Sequence, residues 1–329
     1  MQRGREPRKG PLPRREFLKV LSLGGIGLAL GGCGRADSAP AEPKGPDRRV
    51  WLVSDVHASY LDDRRDGAGW LKLAVEDLRD NVQDVAYAVC LGDMTHQYAA
   101  EGLRNYAQVR DASHLGRWYQ LAGNHDYGAV ASGLYAKYVK MPLRSIVLDG
   151  STAWLLVSTQ SGASAGLISE EWADWLATNI QRLQADRNIV VCTHHLVYDT
   201  VVYSTQGSRY LHPKERVAEL LKRVRVDLWL CGHAHSRPRT PECATTRGRT
   251  TFVNVASVSH AYATHMANSC LLEIVNGSRE ALIRCRDHDR RRYLAGHDVR
   301  VTFPHPWKLG QPSDPLPEVA PATRPAAAA

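Results

Sequence analysis

The sequence predicts an α/β fold, because short apolar segments alternate with amphipathic stretches and polar loops. Five apolar segments have the length and composition of buried strands: residues 50–54, 86–91, 118–122, 189–192 and 226–231. Between the first two, apolar side chains recur at positions 70, 71, 74, 75 and 78, which is the period of a helix. Ligands of open α/β sheets bind beyond the carboxyl ends of the strands, so a site is expected at those ends.

Every one of the five predicted strands is followed by side chains that can bind a metal ion. They are Asp55 and His57, Asp93, Asn124 with His125 and Asp126, His194 with His195, and His233 with His235. A single histidine is more often a packed or surface residue, but the same pattern at five strand ends indicates one shared centre. Gly123 ends the third strand, where a residue without Cβ lets the backbone turn sharply and approach another group closely.

The rest of the domain supplies further helices and strands. Helices are predicted at residues 70–79, 99–109, 128–139, 169–183 and 213–224. Further strands are predicted at residues 144–148, 153–158, 250–256, 270–275 and 280–285. Ser169 is expected to cap its helix, and the last three strands are expected to form a second sheet whose final hairpin turns at Asn276 and Gly277.

The N-terminal residues 1–33 have the organisation of an export signal. Residues 1–19 are basic, and the apolar run at 20–30 is too short to span a bilayer but has the length of a signal-peptide core. The segment Pro13-Arg14-Arg15-Glu16-Phe17-Leu18-Lys19 resembles the twin-arginine motif, although proline stands where Ser or Thr is usual. We therefore expect export by the twin-arginine machinery to a periplasmic or cell-surface location.

Cys33 follows Leu30-Gly31-Gly32, which is similar to a lipobox. It is interpreted either as the lipid-bearing first residue of a membrane-anchored mature protein or as an incidental cysteine beside a cleaved signal. Residues 34–48 have the Ala, Pro, Gly and charged composition of a flexible linker. The main domain is predicted at 49–295, and residues 296–329 are predicted to form a Pro/Ala-rich C-terminal tail.

Charge weighs against a nucleic-acid-binding protein. The formal charge is +8, yet seven of the 42 basic residues and only two of the 34 acidic ones lie in residues 1–33, which leaves about +3 for the rest. The sequence also lacks a stripe of alternating aromatic and basic residues that could bind a nucleic-acid strand.

The chain has seven cysteines, and three of them lie within apolar strands. A disulfide is possible among Cys243, Cys270 and Cys285, but the sequence does not assign the pair.

The polar motifs, in their order along the chain, resemble those of the calcineurin-like metallophosphoesterase superfamily. The motifs are Asp55-x-His57, Gly92-Asp93, Gly123-Asn124-His125-Asp126, His194 and Gly232-His233-x-His235. The resemblance covers residues 48–273, and it implies a four-layer α/β/β/α sandwich of two mixed sheets flanked by helices. It also implies two divalent or trivalent ions, for which a mixed carboxylate and imidazole site suits Fe, Mn or Zn.

By this resemblance, Asp93 bridges the two ions. The first ion is then held by Asp55, His57, Asp93 and His235, and the second by Asp93, Asn124, His194 and His233. Residues two apart face the same way in extended backbone, which independently predicts that Asp55 and His57 share an ion. Only the resemblance assigns His233 and His235 to different ions.

The implied reaction is hydrolysis of phosphomono- or phosphodiesters, with a small phosphate ester attacked by a metal-bound hydroxide. His125 would act on the leaving group, and Asp126 would orient and charge its imidazole. For His195 the sequence allows two interpretations, a role beside the metal ligands or simple packing. Purple acid phosphatases carry a ligand tyrosine where this sequence has His96, which we interpret as a residue beside the ligands or at the surface rather than as a ligand.

Two other functions compete with this prediction. One is a non-catalytic metal-binding scaffold, because a fold alone does not determine a function. The other is a nuclease of the same superfamily. Every implied ligand and His125 are present, which favours the hydrolase over the scaffold, and the weak charge of the mature chain argues against a nucleic-acid partner.

Overall fold

The computed structural model describes most of the chain after residue 44. The described residues are 45–59, 66–96, 100–162, 165–207, 209–238, 240–259 and 267–317. The predicted signal peptide with Cys33, most of the predicted linker and residues 318–329 lie outside this set. Within it, no helix combines the length and the apolar character that crossing a membrane requires.

The first sheet has seven strands, and β1 lies in its interior, paired on both edges. Its parallel part is β1 (Arg48–Val53), β2 (Val85–Cys90) and β3 (Arg117–Gln120). The other edge of β1 pairs antiparallel with β12 (Asn268–Ile274), which pairs with β13 (Glu280–Asp287). Two short strands also pair with β13, namely β14 (Arg292–Tyr293) and β15 (Val299–Thr302).

The second sheet has six strands with a parallel centre. Its order is β10 (Ala244–Arg247), β11 (Thr250–Asn254), β9 (Leu228–Cys231), β7 (Asn188–Thr193), β5 (Thr152–Val157) and β4 (Arg144–Asp149). The edge strands β10 and β4 are antiparallel to their neighbours, and the inner pairs are parallel. A separate parallel pair is formed by β6 (Gly166–Leu167) and β8 (Leu211–His212).

Helices cover the outer face of each sheet, and three apolar cores separate the four layers. The helices are α1 (Gly67–Asn81), α2 (Ala100–Asp111), α3 (Tyr127–Ala131), α4 (Leu134–Tyr138), α5 (Glu170–Leu183) and α6 (Lys214–Arg223). One core joins α1 and α2 to the first sheet, one lies between the sheets, and one joins α5 and α6 to the second sheet. The predicted four-layer α/β/β/α sandwich is confirmed.

Local sequence explains where several helices begin and end. Ser169 accepts a hydrogen bond from the backbone N–H of Trp172 at 3.3 Å, so it caps α5 as predicted. Asp66 caps α1 in the same way through Gly69. The single helix predicted at 128–139 is instead split into α3 and α4, because Gly133 takes a left-handed conformation with φ of 78° between them.

The expectation that the last three predicted strands form a second sheet is wrong for two of them. Only β11 joins the second sheet, whereas β12 and β13 extend the first sheet beside β1. The buried strand β1 needs a partner on both edges, and β12 supplies one with Trp51 opposite Leu271. Trp51 also donates a hydrogen bond from its indole nitrogen to the Ser269 hydroxyl at 2.7 Å.

The folded domain continues past residue 295, where the sequence placed the start of a tail. Residues 299–302 form β15, and the side chains of Phe303 and Trp307 are buried in the core between the two sheets. The Pro/Ala-rich composition of residues 296–329 as a whole concealed these few large apolar side chains. The tail prediction for residues 318–329 lies outside the described residues.

A buried polar network fastens α1 to the first sheet. The Asp77 carboxylate accepts two hydrogen bonds from the Arg286 guanidinium, at 2.6 and 2.7 Å, and one from His288 Nδ1 at 2.8 Å. Burial lowers the pKa of His288, so its ring is neutral, and its one proton lies on Nδ1 because the Asp77 carboxylate can only accept. His288 Nε2 therefore accepts from the Ser269 hydroxyl at 2.6 Å, and the Ser269 oxygen in turn accepts from Trp51.

Asp77→Asn should lower the free energy of unfolding by about 3–5 kcal/mol, because it leaves the buried Arg286 without a matching charge. The measurement is equilibrium unfolding in urea. Asp80→Asn is the matched control on the same helix: its carboxylate is exposed, so a change within about 0.5 kcal/mol is expected. A loss at Asp77 no larger than that of the control would contradict the network's role.

Acid unfolding of the same two variants tests the charge of Asp77 separately. Burial acts to raise the pKa of Asp77, but the hydrogen bonds from His288 and Arg286 lower it to about 2 from 3.8. A lowered carboxyl pKa stabilises the fold above the unfolded value and loses that contribution as the pH falls from 3.8 toward 2. Wild type and Asp80→Asn should lose stability more steeply in this window than Asp77→Asn.

Candidate metal centre

The loops that follow β1, β2, β7 and β9 bring their polar side chains together at one place, beyond the carboxyl ends of strands from both sheets. Asp55, His57, Asp93 and His235 form one group, and Asp93, His194 and His233 form a second. In each group, one ligand atom per residue lies within 4.8 Å of all the others. Asp93 belongs to both groups, which is the position of a bridging carboxylate between two cations.

The first group joins the two sheets. His57 Nε2 lies 3.0 Å from His235 Nε2 and 3.6 Å from Asp93 Oδ2. His235 Nε2 in turn lies 3.1 Å from Asp55 Oδ1. Two imidazole nitrogens and two carboxylates thus face one point, and that donor set suits Fe, Mn or Zn.

The second group is arranged around His194. Its Nε2 atom lies 3.1 Å from Asp93 Oδ2 and 3.2 Å from His233 Nδ1. His194 Nδ1 donates to the backbone carbonyl of Leu91 at 2.8 Å, which directs Nε2 toward Asp93 and His233. Fixing the tautomer in this way prepares His194 to bind a cation.

Asn124 provides a separate test of whether these residues fit a metal ion. Its side chain is 6% exposed, and its Oδ1 atom has no hydrogen-bond partner among the described residues. A buried carbonyl oxygen without a partner costs free energy, so the position needs a cation, a water molecule or a substrate group. The residues therefore fit the two-ion centre that the family resemblance implies.

Five residues of the two groups have left-handed backbone. The φ angles are 54° at Asp55, 47° at His57, 53° at Asp93, 64° at His233 and 46° at His235. The expectation that Asp55 and His57 share a group because their backbone is extended is thus wrong in its reason, although both belong to the first group. Such strained residues cluster at ligand sites, where surrounding contacts hold them in place.

The charges of the centre are set by burial and by mutual attraction. Burial acts to raise the pKa of Asp93, but the nearby His194 holds it well below its usual range, so Asp93 stays anionic. Burial acts to lower the pKa of His194, and Asp93 outweighs it, raising the pKa to about 9. Burial lowers the pKa of His57 far below its usual range, which keeps its imidazole neutral. A proton and a metal ion therefore compete at His194.

His125 lies beside the first group rather than in it. Its ring is 4.8 Å from that of His57 and is stacked on His96 at 4.9 Å. Its backbone N–H donates to Asp93 Oδ1 at 2.9 Å, and its side chain is only partly buried. His96 Nδ1 lies 3.2 Å from His57 Nδ1, on the side of the ring opposite the nitrogen that faces Asp93. His96 therefore adjoins His57, and His57, His96 and His125 form a third group that could hold a metal ion.

The structure places Asp126 differently from the expectation that it orients and charges His125. Its buried carboxylate accepts three backbone hydrogen bonds, from Gly123 at 2.9 Å, Thr95 at 3.0 Å and Met94 at 3.2 Å. Burial raises the pKa of Asp126 to about 7, with Asp93 as the next contribution. Asp126 thus ties the loop after β3 to the loop after β2, and adjacency in sequence was a poor guide to its contacts.

His195, which the sequence left open, is fully buried against the second group. Its ring lies 4.4 Å from that of His233, and burial lowers its pKa well below the usual value. Both of its ring nitrogens are without hydrogen-bond partners among the described residues. The neutral ring therefore packs against a ligand histidine and limits how that ligand can move.

Sequence reasoning missed several residues that hold the ligands by backbone or hydroxyl contacts. Ser257 and Ser259 donate to the backbone carbonyl of Asp55 at 3.1 and 2.8 Å, and the Leu91 carbonyl orients His194. Serines and main-chain carbonyls of this kind carry no motif. Gly123 was anticipated correctly: a Cβ there would collide with the carboxylate and the backbone nitrogen of Asp93.

Comparisons with known proteins agree with this geometry. Residues 48–237 match the family model described as calcineurin-like phosphoesterase. The chain is similar to a dimetal phosphatase from Danio rerio, with a TM-score of 0.58 and 14% identity over 78% of this chain and 99% of that one. It is also similar to a purple acid phosphatase from yellow lupin (Lupinus luteus), with a TM-score of 0.53 and 13% identity over 78% of this chain and 53% of that one. A search of curated proteins finds no match.

Gly123→Ala should reduce the metal content of the purified protein strongly, because the added methyl group displaces Asp93, which both groups share. Metal content is measured by elemental analysis after reconstitution, and circular dichroism reports the fold. Gly45→Ala is the control, since a Cβ at that position meets no atom within 4 Å. Full metal content in a folded Gly123→Ala protein would show that Asp93 does not depend on this close approach.

Proposed function

The chain belongs to the calcineurin-like phosphoesterase family, and we propose that it hydrolyses a small phosphomono- or phosphodiester at a centre that holds two metal ions. Membership of the family makes the protein a phosphoester hydrolase. The observation that carries the two-ion proposal is that Asp93 belongs to both groups of potential ligands. A carboxylate in that position offsets the repulsion between two cations a few ångströms apart.

The first ion is assigned to Asp55, His57, Asp93 and His235, and the second to Asp93, Asn124, His194 and His233. Carboxylate, amide and imidazole donors in these numbers suit Fe, Mn or Zn. When bound, such ions supply Lewis acidity toward a phosphoryl oxygen and toward the attacking water. Asp93 contributes the shared negative charge, and the Leu91 carbonyl keeps His194 in the tautomer that can bind.

His125 is assigned the role of acting on the leaving group. It is partly exposed beside the first group, so a substrate can reach it, and its backbone N–H to Asp93 fixes its distance from the centre. The imidazole would donate a proton or a hydrogen bond to the departing oxygen. The stacked ring of His96 restricts the rotation of His125 and supports its position. Asp126 acts on the same loop through its backbone contacts rather than through the imidazole.

The test is a panel of phosphomonoesters, phosphodiesters and cyclic nucleotides, assayed with metal-stripped protein restored by Mn, Fe or Zn. Hydrolysis of at least one class that requires added metal supports the proposal. Short single-stranded DNA and RNA are included, because cleavage of these in preference to small esters would favour the nuclease alternative. Metal binding without turnover of any substrate would favour the scaffold.

Two variants, Asp93→Ala and His125→Ala, should distinguish the role of a metal ligand from the role of the acid that acts on the leaving group. Asp93→Ala should lose activity and both metals together. His125→Ala should retain both metals and slow turnover by roughly 10²–10⁴-fold, most for esters with poor leaving groups. Elemental analysis and a leaving-group series measure the two effects, with His114→Asn as the control at an exposed histidine. Loss of metal from His125→Ala would refute the division of roles.

We also propose that the protein is exported already folded and metallated by the twin-arginine machinery, and that a lipid on Cys33 anchors it to the membrane. The support is the segment from Pro13 to Lys19 followed by the lipobox-like residues before Cys33. Folding before export lets the site take its ions inside the cell, where metal availability differs from that outside.

Arg14→Lys combined with Arg15→Lys should trap active, metal-containing protein in the cytoplasm. Cell fractionation with immunoblotting locates the protein, and the phosphoesterase assay reports whether it is active. The control is Arg3→Lys combined with Arg5→Lys, which keeps the motif and should be exported normally. Efficient export of the first double variant would count against this route.

A further inference from the structure

Three cysteines line one cavity that contains none of the proposed metal ligands. The cavity has a volume of about 320 Å³ and lies where β10 and β11 approach β12 and β13. Its lining includes Cys243 immediately before β10, Cys270 on β12 and Cys285 on β13. The other three described cysteines are buried within strands that lead to the metal centre.

Two of the three cysteines are directly opposite each other. Cys270 and Cys285 are paired in the antiparallel register of β12 and β13, and their Sγ atoms lie 3.3 Å apart. Opposed residues of antiparallel strands have Cα atoms about 4.5–5.5 Å apart, which is within the range that a disulfide spans. A bond between these sulfurs therefore requires no rearrangement of the sheet.

The third cysteine makes different contacts. Cys243 Sγ lies 3.2 Å from the Arg237 carbonyl and 3.4 Å from the Ser236 hydroxyl, in the loop that follows His235. The Cys243 thiol therefore contacts this loop, whereas the thiols of Cys270 and Cys285 contact each other. The geometry thus selects one pair from the three combinations that the sequence left open.

We propose that Cys270 and Cys285 form a cross-strand disulfide, oxidised by exchange with an external disulfide of a small thiol or of a thiol oxidoreductase. Cys285 is partly exposed whereas Cys270 is 1% exposed, so Cys285 is the sulfur that an external disulfide can reach. Its thiolate attacks the external disulfide and displaces one thiolate. The Cys270 thiolate then attacks the Cys285 sulfur of the mixed disulfide and displaces the second. The two protons of Cys270 and Cys285 pass to the two leaving thiolates.

The disulfide closes the hairpin that turns at Asn276 and Gly277, and so fastens β12 to β13. Because β12 is the antiparallel neighbour of β1, the bond stabilises the sheet that carries Asp55 at its end. Disulfides persist outside the cytosol, which agrees with the export proposed above. The disulfide between Cys270 and Cys285 requires neither the proposed export route nor phosphoesterase activity.

The test is peptide mapping of the full-length protein, alkylated without reduction after equilibration with oxidised glutathione. Cleavage after Lys and Arg releases residues 250–279, which carry Cys270, and the dipeptide Cys285-Arg286. We expect these two fragments joined, and two more thiols after reduction than before. The proposal is overturned if both cysteines are alkylated without reduction, or if the fragment of residues 240–247, which carries Cys243, is joined instead.

Matched variants check the assignment through stability. Cys270→Ser and Cys285→Ser should each abolish the difference of two thiols and lower the oxidised Tm by roughly 5–10 °C. Cys243→Ser, at the same cavity, should keep both the linked fragments and the thiol difference. An unchanged Tm on reduction of the wild type, with no linked fragments, would also refute the disulfide, whether or not the serine variants fold.

Discussion

The carboxylate of Asp93 is the constraint on which the centre depends, because it holds two groups of ligands from two different sheets to one position. It lies 3.1 Å from His194 of the second sheet and 3.6 Å from His57 of the first. Its other oxygen accepts the backbone N–H of His125, so the residue assigned to the leaving group is aligned by the same carboxylate. Gly123 has no Cβ, and this leaves room for the Asp93 carboxylate to lie against its backbone.

The backbone of the ligand residues is strained where their loops converge on Asp93. Left-handed backbone at a non-glycine residue costs of order 1–3 kcal/mol, and five such residues lie at the centre. Direct contacts compensate: the His57 N–H donates to the Asp93 carbonyl at 2.8 Å, and the His233 N–H donates to the Asp55 carboxylate at 3.1 Å. The loops are therefore shaped by hydrogen bonds among the ligand residues themselves, and the rigid sheets on either side hold the loop ends.

The parts of the molecule that follow a local rule were predictable from the sequence. Apolar strands ending in Asp or His predicted that these side chains meet at one place, and Ser169 predicted the start of α5. What failed depended on contacts between distant segments. Nothing in residues 270–285 indicates that they pair beside β1 rather than beside β11, and nothing next to Asp126 indicates that its partners are backbone groups of Thr95 and Met94. The buried Trp307 was likewise hidden by the composition around it.

The family match ends at residue 237, yet the sheet that carries Asp55 is not complete there. β1 has β2 on one edge, and its other edge is paired by β12, which begins at Asn268. A buried strand with one unpaired edge would leave a row of N–H and C=O groups without partners, each of which costs free energy. The C-terminal strands must therefore be in place before β1 can hold Asp55 and His57. The network of Asp77 with Arg286 and His288 serves the same end, because it ties those strands to the helix that directly follows the first ligand loop.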